Sequence, residues 1–178
     1  MLVSGGAGFI GCNTVLALLQ RGYRVRVLDR LQPPIPQPDV MPPWLPKDVE
    51  MMVGDVRSKQ TLAKALEGVT GVIHLAAYQD YLPDFSTFFH TNTVGTALLY
   101  ELVVEEGLDL RRIVLASSQA VYGEGRNRCA EHQDFFPDLR SAQSLDAGLW
   151  DIDCPICGRP AQSQPTDEAQ VNPQNQYA

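Results

Sequence analysis

The 178-residue chain predicts an α/β fold, a doubly wound parallel sheet, on three observations. Short apolar runs alternate with amphipathic helical stretches, the order that builds a parallel sheet covered on both faces. The first run passes directly into glycines at positions 5, 8 and 11, and an acidic residue, Asp29, ends the second run.

Leu2-Val3-Ser4 is the first strand, and Gly5-Gly6-Ala7-Gly8-Phe9-Ile10-Gly11 turns it into a helix from Cys12 to Arg21. Gly5 allows a tight turn, Gly8 lets the backbone approach a pyrophosphate with no side chain between, and Gly11 lets the helix pack closely on its strand. The helix then points its amide end at the phosphates. Val15, Leu16, Leu18 and Leu19 form its apolar stripe, Gly22 stops it, and Tyr23 to Leu28 is the second strand. Asp29 would accept hydrogen bonds from adenosine ribose hydroxyls. Gly5, Gly8, Phe9, Ile10, Gly11 and Asp29 are therefore candidate dinucleotide-binding residues. Asp29 would repel a 2′-phosphate, which favours NAD over NADP, while neighbouring Arg30 points the other way.

Pro33 to Pro46 reads as a proline-rich loop, and Val49 to Val53 as a third strand running into Gly54-Asp55-Val56. Ser58 is placed to cap a helix reaching Leu66. Gly71 to Ala77 is a fourth strand whose end, His74-Leu75-Ala76-Ala77, uses small residues where the chain passes a ligand. A long helix is expected from about Phe85 to Glu106, with Asn92 and Gly95 inside it. The fifth strand, Arg112 to Ala116, opens into Ser117-Ser118-Gln119-Ala120-Val121-Tyr122-Gly123.

A net charge of −7 leaves no basic stripe to neutralise phosphates, so a nucleic-acid surface is not expected. No apolar run approaches the length of a membrane span, and no charged segment leads into an apolar signal core. A soluble, cytoplasmic protein is expected. Hydrophobic residues make up 44% of the chain, enough to build a core.

Between Gly123 and Tyr177 lies an insertion carrying Cys129 and His132, then Cys154 and Cys157. Two ligand pairs, each with two intervening residues, suit a tetrahedral metal, and the Cys-Pro-Ile-Cys-Gly turn frees backbone amides to face thiolates. Three thiolates and one imidazole leave no open position, so the metal would be structural, a zinc-ribbon-like clasp. A redox Cys-x-x-Cys pair, four unrelated groups, and iron in place of zinc stay open. The fourth cysteine, Cys12, is expected to pack against the sheet.

In order along the chain, Gly5 to Gly11, Gly54-Asp55-Val56, His74 to Ala77, Asn92-Thr93-Val94-Gly95-Thr96 and Ser117 to Gly123 resemble the blocks of the extended short-chain dehydrogenases. These are the NAD-dependent nucleotide-sugar epimerases and dehydratases, built on a Rossmann sheet. The resemblance implies that Asp55 and Val56 hold the adenine, that Ala76 and Ala77 line the cofactor, and that Asn92 steadies the central helix. It matches Ser118 to the catalytic serine or threonine and Tyr177 to the catalytic tyrosine. It further implies a nucleotide-sugar substrate and a homodimer paired through long helices.

A free tyrosine has a pKa of about 10, so positive charge must lower it before it can take a proton at neutral pH. In this family the oxidised nicotinamide and a lysine four positions after the tyrosine supply that charge. The chain ends one residue past Tyr177, so it reads as a truncated member without turnover of its own, its Rossmann sheet incomplete and its substrate domain absent. The expected organisation is a cofactor core over 1–123, a metal-binding insertion over 124–165, and a segment 166–178 leading to Tyr177.

The family's 4,6-dehydratases carry an acid and a base directly after the catalytic threonine, whereas Gln119 and Ala120 stand here and neither can transfer protons. Epimerisation at the sugar's fourth carbon is therefore preferred over dehydration, with ketone reduction and a non-catalytic NAD-binding module as alternatives. Tyr122-Gly123-Glu124-Gly125, the cysteine-bearing loop and Pro165-Thr166 are similar to a subset of the family, the dTDP-L-rhamnose 4-epimerases. The loop could also serve as a protein-interaction device. Tyr78, Asp80, Tyr81 and His90 are substrate-side candidates at most, and His74 reads as a packed strand residue.

Overall fold

The computed structural model describes residues 1–32, 41–80 and 82–178, so Tyr81 and most of the proline-rich loop lie outside the described residues. The chain divides into two compact units, Met1–Ala116 and Ser117–Ala178.

In the first unit, five parallel strands stand in the order β3-β2-β1-β4-β5: β1 Leu2–Ser4, β2 Arg26–Asp29, β3 Glu50–Val53, β4 Gly71–His74 and β5 Arg112–Leu115. Period-two alternation sends neighbouring residues to opposite faces. Leu2 and Leu28 join Leu62, Leu66, Leu99 and Leu102 in one core, whereas Val3 and Val27 join Val15, Leu31 and Leu45 in the other. The sheet is thus covered on both faces, as expected from the alternating pattern. The chain leaves β1 toward β2 on one side and later returns to place β4 on the other. That reversal opens a crevice at the carboxyl ends of β1 and β4.

Helix α1 spans Phe9–Gln20, three residues ahead of the predicted start, because Gly8 already caps it in extended conformation. Its far end closes with Gly22 in the left-handed region (φ 78°), the Gly22 amide donating to Leu19 and the Tyr23 amide to Leu18. That closure occupies residues 21–23, so β2 begins at Arg26 instead of Tyr23. Helix α2, Lys59–Leu66, starts at the expected cap: Ser58 Oγ accepts from the Thr61 amide at 3.2 Å.

The long helix predicted from Phe85 is not uniform. It runs as α3 (Phe85–Phe88), a π-helical segment (Phe89–Val94) and α4 (Gly95–Glu105). Asn92 sits in the π segment, where its side chain is tied to a neighbouring loop. Where α4 begins, a Cβ on Gly95 would stand 3.1 Å from the Val56 side chain, so glycine permits the helix to press on the segment that follows β3.

The second unit holds secondary structure that no periodicity in its sequence predicts. A 3-10 turn, Gln119–Tyr122, precedes a small antiparallel sheet in the order β7-β6-β8, built from β6 Asn127–Arg128, β7 Asp134–Phe135 and β8 Gln162–Ser163; the short helix α5 spans Ala142–Asp146. The unit begins at Ser117, ahead of the predicted boundary at Gly123, because the turn is bound to its later part: the Asn172 amide donates to the Val121 carbonyl at 2.7 Å. Among the described residues of this unit, the only buried hydrophobic side chains are Cys129 and Cys154.

Candidate functional site

The crevice at the switch point is a cavity of about 230 Å³. Of the predicted cofactor residues, Gly5, Gly8, Asp29, Asp55, Val56, Ala76 and Ala77 line it; so do Arg30, the neighbour that points toward NADP, and Gln32 and Thr91, which carry no binding signal in the sequence. Phe9, Ile10, Gly11 and Asn92 do not line it.

The three glycines divide by function. A Cβ on Gly5, at φ 68°, would stand 2.7 Å from the Ala76 amide nitrogen, and one on Gly11 would stand 2.1 Å from the Gly5 carbonyl. Both are required by the protein's own packing. A Cβ on Gly8 would meet nothing closer than 3.4 Å. Packing does not demand glycine there, so the space it leaves opens onto the cavity.

Gly8 also caps α1 without a side chain, and no acidic residue occupies the first turn. The opening amides of a helix lack intrahelical partners and carry the positive end of its dipole, which suits an anion. The side chains of Phe9 and Ile10 stand in solvent, 87% and 66% exposed, so what they can offer a phosphate is backbone. This arrangement fits a pyrophosphate.

Beside it, the Asp29 carboxylate accepts from the Ala7 amide through Oδ2 and from the Leu31 amide through Oδ1, both at 3.0 Å. Two further lone pairs remain for hydroxyl donors. Asp55 is clasped by Arg57 at 2.7 Å and lies 4.0 Å from Arg30. Burial works to raise its pKa, but hydrogen bonds from the Arg57 side chain and backbone, with both guanidinium charges, hold the carboxyl below its ordinary value. Asp55 is thus an anion turned toward its own arginines. The Asp-x-Arg spacing was the local signal for that pair.

Asn92 acts on the loop after β4: its Oδ1 accepts from the Tyr78 amide at 2.7 Å and its Nδ2 donates to the Tyr78 carbonyl at 2.9 Å. Beneath the glycine turn, buried His74 and Ser4 pair at 2.8 Å. The Tyr78 hydroxyl donates to Asp84 at 2.6 Å, which pushes its pKa up to about 12. A phenol so held cannot act as a base near neutrality.

Ser118 and Tyr177 both belong to the second unit. Ser118 Oγ accepts from the Ala120 amide at 3.1 Å at the head of the 3-10 turn, so the capping role and a free hydroxyl proton coexist in one group. The Tyr177 amide donates to the Asn175 side chain at 2.9 Å, which fixes its backbone in a local turn.

In the same unit Cys129, His132, Cys154 and Cys157 converge, their four ligand atoms all within 4.8 Å of one another. Bonds of about 2.3 Å to sulfur and 2.05 Å to nitrogen would set the edges of a tetrahedron at about 3.8 Å between sulfurs and about 3.5 Å from sulfur to nitrogen. Cys129 and Cys157 stand 3.7 Å apart, and His132 Nδ1 lies 3.5 Å from both Cys129 and Cys154. These spacings fit the edges of a coordination polyhedron. The His132 backbone amide, donating to the Cys129 sulfur, and its ring hold that thiol down to about 7. An Arg159–Glu131 ion pair ties the two ligand pairs together.

A dinucleotide cradle at the switch point of a five-stranded parallel sheet places the chain among the Rossmann-type proteins. The chain belongs to the NAD dependent epimerase/dehydratase family, which it matches over residues 1–140.

Among curated proteins it is 36% identical to the dTDP-L-rhamnose 4-epimerase of Burkholderia thailandensis, over 85% of this chain and 43% of that protein. It is 33% identical to the bifunctional UDP-glucose 4-epimerase and UDP-xylose 4-epimerase 1 of Pisum sativum, over 70% of this chain and 38% of that one. Its fold is similar to the crystal structure of the Thermus thermophilus UDP-glucose 4-epimerase in complex with NAD, with a TM-score of 0.59 and 27% identity, covering 89% of this chain and 43% of that one. The chain therefore spans about two-fifths of the length of these relatives.

Proposed function

We propose that this chain supplies the NAD-binding core, and with Ser118 and Tyr177 part of the catalytic set, of a nucleotide-sugar 4-epimerase. The observation that carries the cofactor reading is Gly8: a glycine that packing does not require, at an uncapped helix start, opening onto the cavity that Asp29 and Asp55 also line. The 4-epimerase relatives support the reaction class.

When bound, NAD supplies the acceptor and donor of hydride at the sugar's fourth carbon. In this reading the first-turn amides of α1 hold the pyrophosphate, Asp29 holds the ribose hydroxyls, and Asp55 with Val56 borders the adenine. Ser118, its oxygen already fixed by the Ala120 amide, directs its own proton to the reacting sugar oxygen. Tyr177 takes the hydroxyl proton of that carbon and returns it. Gln119 and Ala120 supply no acid or base, which favours epimerisation over loss of water.

We also propose that the Cys129, His132, Cys154 and Cys157 cluster holds a structural zinc. The matched tetrahedral edges and the scarcity of buried apolar side chains in this unit support it. A homodimer in the cytoplasm completes the reading. Tyr100 and Val104, which α4 leaves exposed, support pairing through that helix. No helix among the described residues is long and apolar enough to cross a membrane.

Calorimetric titration of the 178-residue chain should show NAD binding in preference to NADP, and binding of neither would end the cofactor reading. In the protein that carries this segment together with a sugar-binding region, Ser118→Ala should lower kcat about 100-fold. Tyr177→Phe should lower it further, and both variants should keep their NAD affinity. Elemental analysis should find about one zinc per chain, and a metal-free sample with an ordered insertion would refute the clasp.

A further inference from the structure

We propose that Trp44 is a positioning residue for the dinucleotide, its indole N–H holding the glycine turn in the shape that receives the pyrophosphate. The proposal rests on the NAD reading and deepens it. Trp44 Nε1 donates to the Ala7 carbonyl at 3.0 Å, while the Ala7 amide donates to Asp29 at 3.0 Å. The residue at the crown of the turn is therefore gripped at both backbone groups by side chains distant in sequence.

The other amides of the turn with protein partners are equally committed: Gly5 donates to the Leu28 carbonyl at 2.8 Å and Gly8 to the Gly5 carbonyl at 3.2 Å. With these groups held, the amides presented toward a phosphate are those of the first turn of α1. The Ala7–Gly8 peptide is the weak point, because glycine tolerates a wide range of backbone angles. A rotated peptide would aim its carbonyl dipole at the phosphate and repel it. Trp44 blocks that rotation.

Burial alone does not account for this tryptophan. Its neighbour Leu45, 4% exposed, anchors the segment in the core with Ala7 and Leu31, whereas Trp44 keeps 42% of its surface in water. Its one polar atom nevertheless meets the turn carbonyl. That combination suits a side chain retained for its N–H.

The test uses the 178-residue chain carrying Trp150→Phe, which leaves Trp44 as its one tryptophan. NAD, ADP-ribose and adenosine are titrated with and without Trp44→Phe. The added substitution should weaken NAD and ADP-ribose about fivefold, as expected for loss of one hydrogen bond, and leave adenosine binding unchanged. Equal ADP-ribose affinity in the two proteins, or an equal loss for adenosine, overturns the proposal. Should the Trp44→Phe chain not fold, indole emission decides the matter: it should shift with ADP-ribose and stay constant with adenosine, and no shift refutes the role. If the chain with Trp44 intact binds none of the three ligands, the NAD reading falls as well; if it binds them and Trp44→Phe changes nothing, only the positioning role falls.

Discussion

Ser4 Oγ and His74 Nδ1 meet at 2.8 Å inside the sheet, directly below the glycine turn. The serine oxygen also accepts from the Leu75 and Ala76 amides, each at 3.2 Å, so its own proton goes to the imidazole and the ring is neutral. Nε2 carries the ring proton and is buried with no hydrogen-bond partner among the described residues.

This pair predicts acid sensitivity. Burial lowers the His74 pKa below its ordinary value of about 6.5. Between the lowered value and 6.5 the unfolded chain binds more protons than the folded one, so stability is complete above that window and falls as pH drops through it. Urea midpoints measured from about pH 7.5 to about 5.5 should decline in the native chain. His74→Asn should be less stable at every pH and should lose that component of the slope.

The glycines predict opposite outcomes for one substitution. Gly8→Ala should melt within a few degrees of the native chain and lose at least about tenfold in NAD affinity, because its Cβ enters the ligand's space. Gly11→Ala should cost about 3 kcal/mol of stability, because its Cβ meets the Gly5 carbonyl and backbone must shift. Melting curves with titration calorimetry separate the two.

On the zinc reading, removing the metal should unfold one unit and spare the other. Residues 1–116 own both hydrophobic cores, whereas the second unit's only buried hydrophobic side chains among the described residues are two of the candidate ligands. After chelation, hydrogen exchange should become fast across 117–178 and stay slow in β1, β2 and β4. Cys154→Ser should reproduce this without a chelator.

Tyr78 should titrate near 12, because its hydroxyl donates to Asp84. A raised phenol pKa stabilises the folded state below about 10, and that contribution is lost as pH climbs through about 12. Ultraviolet titration of Asp84→Asn should bring this tyrosine back toward the ordinary range.

The readable part of the molecule was the part encoded over short spans. Glycines three apart after an apolar strand, Ser58 before a helix and candidate ligands paired three positions apart each state a local geometry, and the chain adopts it in each case. Alternating apolar residues likewise set which strand residue faces which layer, so membership of the Rossmann class followed from pattern. The π-helical segment gave no such signal, since its Asn92 is held by Tyr78, whose loop position is set by the fold. The small β7-β6-β8 sheet was equally hidden, its two-residue strands being too short for a period.

Sequence by itself determined the strand-glycine-helix unit, Asp29 at the end of β2 and Asp55 just past β3, the two candidate ligand pairs and the family, because local spacing and alternation carry that information. Only the tertiary structure decided which glycine opens onto the cavity, that His74 is held neutral by Ser4, and that Trp44 grips Ala7. Those facts depend on groups many residues apart meeting within about 3 Å, a relation that no short window of sequence contains.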